Sequence, residues 1–391
     1  MRRVTVFALL VALTCGRAEA APFVPTDDAQ VLERLPFKAT DPGMSELVLL
    51  RAQLAQQPES LPLAVELARR YLELGRVSGD PRYAGYAQAA LTPWWSQRLP
   101  PRDVLIMRAM LRQRVHEFDA ALADLGMAIE RNPHDAQARL TRATVLQVRA
   151  DFDGARRDCE ALRTATREII WAACLASVDA SSGRLRASYT WLRDRLVQSR
   201  ETQPGMQAWL LTGLAEMAAR AGMPREADAH FRSALAADPD DQYLLAAYAD
   251  FLLDTGRPDA AARLTKERTQ ADALLLRYAL ALQALGSSAT AQRVDELRAR
   301  FAASRLRGDR VHLREEARFV LHLEHHAAEA LELARANWAI QKEPSDARVL
   351  LEAALAAGDS AAVKSVTAWL KSSGLEDVRL DLLLAKLNPG A

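Results

Sequence analysis

The stretch "WLLTGLAEMAARAGMPREADAHFRSALAADPDD" (209–241) decides how the rest of the chain is read. Its apolar residues recur every three to four positions on both sides of Gly222, the pattern of two amphipathic helices joined by a tight turn. Glycine there can take the left-handed conformation that ends a helix, and Pro224, two residues on, fits the first turn of the next. Counted from Ala208, the unit has Ala215 eighth, Gly222 fifteenth, Ala227 twentieth, Phe231 twenty-fourth, Ala234 twenty-seventh and Pro239 thirty-second.

The same spacing returns along the chain. A unit starting at Gln242, 34 residues later, carries Ala249, Gly256 and Ala261 at matching places, with Pro258 two residues past its glycine. Upstream, a unit at Arg102 gives Ala109, Ala121, Ala128 and Pro133, and one at Ala136 gives Ala143 and Ala155. Units at Ile169 and Asp272 add Ala176 with Ser188, and Ala279 with Ala291. Six units therefore place alanine eighth and alanine or serine twentieth, where small side chains let paired helix axes approach closely. The twenty-fourth residue, Phe231, Leu125 or Leu192, fills space beside the crossing. Gly183, Gly222, Gly256 and Gly286 mark turns, and His116 stands at that place in the first unit. An apolar content of 50% with only 6% aromatics suits close-packed, alanine-rich helices. The expected fold is all-α, built of antiparallel helix pairs.

These units resemble the tetratricopeptide repeat family over about Arg102 to Ala303. The best matches are residues 105–135, with Phe118 as the aromatic before the second helix, and residues 209–241. The resemblance implies a right-handed superhelical solenoid. It also implies the segmentation: divergent repeats over 45–101, core repeats over 102–305, and divergent repeats with a closing helix over 306–391. First helices of such repeats line a concave groove in which partners lie. Helical counting puts Met110, Arg114, Gln137, Thr144, Gln147, Ser177, Trp209, Glu216, Arg220, Tyr243, Asp250 and Asp254 on that face. Family members that grip acidic chaperone tails use paired Lys and Asn residues there, and these are missing from this sequence.

The amino terminus bears on the compartment. Arg2 and Arg3 precede the apolar run "VTVFALLVAL" (4–13), and the segment leaves through Ala18, Glu19 and Ala20, a pattern predicting an exported chain cleaved after Ala20. Cys15 is not read as a lipid anchor, because Ala12 and Thr14 are not the residues such a signal wants. Removing 1–20 takes away three Arg and one Glu, so the formal charge moves from +1 by −2 to −1. A near-neutral chain without clustered Lys and Arg argues against nucleic acid as a partner. No later apolar run approaches the roughly eighteen residues of a membrane span. Residues 21–44, with Pro22, Pro25, Pro36 and Pro42, read as an extended arm that either stays free or docks Phe23, Leu32, Leu35 and Phe37 onto the early repeats. In an exported chain, Cys159 and Cys174, fifteen residues apart across one turn, are either a disulfide or two small buried residues.

Chemistry-bearing motifs are few. "FVLHLEHHAAEALE" (319–332) brings His322 and His326 to four-residue spacing, which on one helix would let two imidazoles share a metal ion, although no third ligand is fixed by spacing. A metal-handling or transport accessory with that cluster is the alternative function. There is no phosphate-cradling glycine loop and no nucleophile elbow, so neither catalysis nor a cofactor is expected. The leading expectation is a periplasmic scaffold that binds a protein or peptide in its groove. "RLDLLLAKL" (379–387) is either a cap on the last repeat or a contact in a weak homodimer; otherwise the chain is monomeric.

Overall fold

In a computed structural model the described residues are 27, 42–308 and 311–386. The segment assigned to export, and nearly all of the arm at 21–44, lie outside them. The chain divides into two compact units, Met1–Ser45 and Glu46–Ala391. Of the first, the described part is Asp27 and the start of α1 (Pro42–Gln56). The second holds all the remaining helices.

That second unit is a right-handed superhelical solenoid of antiparallel helix pairs. First come α2 (Leu61–Ser78) with α3 (Arg82–Ala90), then the single-turn α4 (Thr92–Trp95). The regular pairs are α5 (Arg102–Arg114) with α6 (Phe118–Arg131), α7 (Ala136–Val148) with α8 (Phe152–Ala161), and α9 (Glu168–Ala180) with α10 (Leu185–Ser199). Next are α11 (Pro204–Arg220) with α12 (Pro224–Ala237), α13 (Gln242–Asp254) with α14 (Pro258–Thr265), and α15 (Asp272–Ala284) with α16 (Thr290–Leu306). The stack ends with α17 (Leu313–His322) and α18 (Ala327–Ile340), α19 (Pro344–Ala357) and α20 (Ser360–Ser373), and α21 (Val378–Ala385). No strand occurs among the described residues.

The small-residue spacing sets this architecture. Ala109, Ala143, Ala176, Ala215, Ala249 and Ala279 are all at most 1% exposed. Their partners Ala121, Ala155, Ala227 and Ala261 are fully buried and Ser188 nearly so, while Leu125, Leu192 and Phe231 close the space beside them. Phe231 packs on Tyr248 and Phe251 at centroid distances of 5.1 and 5.5 Å, tying α12 to α13. Burying a side chain of that size contributes roughly 1.5–3 kcal/mol.

Ala291 departs from the pattern and is exposed. Proline follows the turn glycine by two residues in the α11–α12 and α13–α14 units, but Ser287–Ser288–Ala289 delays the start of α16 to Thr290, leaving Ala291 in the first turn. That helix docks through Leu297 and Phe301, both at most 1% exposed.

The turns use left-handed backbone, with φ of 71° at Gly222 and 70° at Gly256. His116 and Ala150 adopt the same conformation, φ 60° and 62°, despite their Cβ atoms. Helix starts are capped: Asp135, Asp151, Asp241 and Asp359 each accept a hydrogen bond from a backbone N–H in the first turn of α7, α8, α13 and α20. Glu343 and Asp346 form a reciprocal capping box on α19.

A second repeated device escaped the sequence reading. Arg108 makes a two-pronged bond to Asp124, Nε to Oδ2 at 2.8 Å and Nη2 to Oδ1 at 2.6 Å, with both side chains buried. Thirty-four residues on, Arg142 holds Asp158 the same way at 2.6 and 2.8 Å. Arg and Asp thus occupy the seventh and twenty-third positions of two successive units.

Candidate internal channel

The superhelix closes on itself, and the closure shapes its concave side. At one seam, Arg76 of α2 pairs with Asp238 (3.1 Å) and Asp241 at the start of α13, and Gln242 Nε2 donates to Val77 O at 2.8 Å. A Cβ on Gly79 would stand 2.8 Å from that of Ala271, so the backbone there meets α15 at a distance only glycine permits. At the other seam, Lys342 N donates to Val148 O at 2.8 Å, and Arg220 donates to the carbonyls of Ala180 (2.5 Å) and Glu376 (3.2 Å). Gly183 and Gly374 lie against each other: a Cβ on the first would sit 3.4 Å from the carbonyl oxygen of the second. Across the middle, Arg318 and Arg277 converge on Asp250 at 2.9 and 2.7 Å, and Arg348 meets Asp254 at 2.7 Å.

What remains of the groove is a channel of three adjoining compartments. The outer one, about 420 Å³, lies between α2, α5 and α7 and is lined by Met110, Arg114, Gln137 and Thr144 with Arg69, Arg76 and Leu140. Thr144, Leu140 and Trp209 also line the middle compartment, another 420 Å³ or so, whose wall includes Ala173, Cys174, Leu210 and Met217. Gln147, Ser177, Glu216, Arg220, Tyr243 and Glu343 are shared with an inner compartment of about 240 Å³, which adds Asp250, Arg314, Lys342 and Arg379.

Eleven of the twelve residues placed on the concave face by sequence thus line this channel. The exception, Asp254, is held by Arg348 and by Arg379 at 3.5 Å. Arg220 and Asp250 are not available as free groups either: the first is buried on backbone carbonyls, the second is claimed by two guanidinium groups. Helical counting finds the face a residue occupies but not the distant helix that meets it. Glu343, Arg314, Lys342 and Arg379 were missed for the same reason, since they come from the divergent carboxyl-terminal repeats.

The electrostatics follow from the enclosure. Tyr243 Oη donates to Glu216 Oε1 at 2.7 Å, and no ion pair to Glu216 is seen among the described residues. Burial pushes the Glu216 carboxyl up, against the Tyr243 hydrogen bond and the more distant Arg379 and Arg220. The Glu216 charge and burial hold the Tyr243 phenol well above its ordinary value. Glu343 meets Arg314 at 3.2 Å, yet burial and the neighbouring Asp346 push it up to about 7. Asp250 behaves oppositely: burial would raise it, but Arg277 and Arg318 hold it well below the usual carboxylate range. Tyr243 and Trp209 line the channel while staying 62% and 45% exposed, so the Tyr243 shift is owed first to the Glu216 charge.

Beside the middle compartment, Cys159 of α8 and Cys174 of α9 form a disulfide, Cα to Cα 5.5 Å. The histidine cluster is dispersed. α17 ends at His322, whose Nε2 lies 2.9 Å from Glu352 Oε2, and His326 precedes α18, so the two imidazoles share no helix face. Among the described residues no three His, Cys, Asp or Glu side chains converge as metal ligands would. No helix among them is long and apolar enough to cross a membrane.

Paired helices of about 34 residues, crossing at small eighth and twentieth residues and stacked in one superhelix, settle the fold. It is a solenoid of tetratricopeptide-repeat-like helix pairs. No family model matches the chain, and no curated protein matches its sequence. Comparison with solved structures finds tetratricopeptide-repeat proteins of partial likeness. One from Parabacteroides merdae is 16% identical, covering 61% of this chain and 92% of that one at a TM-score of 0.43. Pseudomonas aeruginosa pilF is 17% identical over 52% and 91%, with a TM-score of 0.38. Yeast Tom70 is 12% identical over 87% and 84%, with a TM-score of 0.40. Likeness at this level says nothing about what the solenoid binds.

Proposed function

We propose that this tetratricopeptide-repeat solenoid is a non-catalytic scaffold of the cell envelope that receives an extended segment of a protein partner in its internal channel. The observation that carries the reading is the pair Trp209 and Tyr243, whose rings are left uncovered inside the channel. Uncovered aromatics in a concave site supply large contact area at small entropic cost, which is what a protein-binding surface needs. An exported location is supported by the amino-terminal basic, apolar and Ala-x-Ala pattern, and it suits the Cys159–Cys174 disulfide, which persists in oxidising compartments.

Photo-crosslinking residues at Gln147 and Tyr243, compared with one at Val197 on the exposed side of α10, test the reading in cells. One protein adduct recovered at both channel positions and absent at Val197 is the expected result. Adducts at Val197 alone would move binding to the outer face and refute it.

A further inference from the structure

The middle compartment has a chemical preference, and it deepens the partner-binding reading on which it rests. Four charged residues line it: Glu216, Arg220, Asp241 and Glu343. Two are spent. Arg220 is turned onto the carbonyls of Ala180 and Glu376, and Asp241 is taken by Arg76 and by the N–H of Leu244. The two that face the remaining space are carboxylates. Among the described residues Glu216 has only the Tyr243 hydroxyl, while Glu343 accepts the Asp346 N–H in the α19 capping box and its nearest cation, Arg314, reaches it from the inner compartment and is shared with Glu315, Ser345 and Asp346. Burial disfavours the ionised form of both, and at Glu343 the neighbouring Asp346 and Glu216 add to it, a cost that an entering cation would relieve. Trp209 and Tyr243 supply faces for a cation and for the alkyl stem behind it, whereas an anionic group would meet two carboxylates.

We propose that the middle compartment is a receptor for a lysine or arginine side chain on an extended segment of the partner, its cationic head between Glu216 and Glu343 and its stem against Trp209 and Leu140. The proposal concerns which segments are chosen, and the scaffold reading concerns whether any is.

The test is selection of a random peptide display library on the intact chain, beside Glu216→Gln/Glu343→Gln and an unrelated helical protein. The expected result is enrichment of Lys and Arg at one position of the selected peptides by about tenfold, equivalent to ~1.4 kcal/mol, and its loss in the double variant. Peptides selected with no basic excess, or with an excess that persists in the double variant, would overturn the proposal and leave the scaffold reading standing. No peptide recovered above the unrelated protein would overturn both. A measurement on the unaltered chain guards against misfolding of the variant: Nα-acetyl-lysine amide should displace the selected peptides, and its norleucine counterpart should not. Equal displacement by the two would also refute the cationic pocket.

Discussion

Ala249 and Ala291 both hold small-residue places in the sequence repeat, eighth and twentieth in their units, yet the structure treats them oppositely. Ala249 is fully buried where α13 crosses α14, and Ala291 is exposed in the first turn of α16. Replacing each with leucine adds the same bulk. At Ala249 that bulk has no free volume to enter, so side chains must leave their rotamers or the helices must part, at about 1–3 kcal/mol. At Ala291 leucine points to solvent and the effect should stay within about 0.5 kcal/mol. The size of the melting shift depends on how much of the solenoid unfolds together. With roughly 2.1 cal/mol/K of unfolding entropy per residue, ~1 kcal/mol moves the midpoint by about 7 °C if only two repeats (~70 residues) melt as a unit, and by about 1.5 °C if the whole solenoid does. Circular dichroism melts of the two variants beside wild type measure this, and native-state hydrogen exchange locates the loss, expected in α12 to α14. Ala249→Leu melting with wild type would refute the crossing, and Ala291→Leu melting as low as Ala249→Leu would refute the shifted register of α16.

Asp124→Asn should cost about 3–5 kcal/mol by leaving Arg108 buried without a counter-charge, a loss that urea titration would show as an earlier transition in the first repeats. Intact protein should show no free thiol at Cys159 and Cys174, and reduction should lower the stability by up to about 3 kcal/mol, the chain-entropy value for a loop of this length, in thiol-labelling and melting assays. Because Glu343 is raised from an ordinary 4.5 to about 7, its contribution to stability is fully present below 4.5 and is lost as pH rises through 7. Glu343→Gln removes that titration, so its melting point should gain on wild type between pH 5 and pH 8, and a constant difference across that range would contradict the assignment.

The repeats were legible because each places its small residues and turn signals within about 34 positions, where local geometry alone fixes what they do. Ala291 misled because the count assumes a constant turn, and Ser287–Ser288–Ala289 lengthens it. The Arg108–Asp124 and Arg142–Asp158 pairs were also within reach, since Arg and Asp recur at fixed places in two adjacent units, but the repeat count followed only small residues and turn signals. The closure was not legible. Asp254 and Arg348 are 94 residues apart, and Leu185 N meets Glu376 Oε1 across 191. No periodicity within one repeat carries information about such pairs, because they depend on the accumulated rotation of the whole stack.

The closure also bears on how a partner would reach Glu216 and Glu343. Contacts at both seams are mostly ion pairs and hydrogen bonds. At the first seam the ions are partly solvated, with the Arg76 and Asp238 side chains 36% and 16% exposed, whereas Arg220 at the other is nearly buried. Pairs in that setting are worth of order 1 kcal/mol or less each, whereas the helix pairs are held by continuous apolar cores. The Arg76 seam is therefore expected to be a weaker junction than the helix pairs. Asp250 differs, because it is bound by two guanidinium groups, one of them on the nearly buried Arg277. It pins α13 to α15 and α17. For a segment entering from the outer compartment, the wall held by Arg76 is thus expected to give way more easily than the inner end pinned at Asp250.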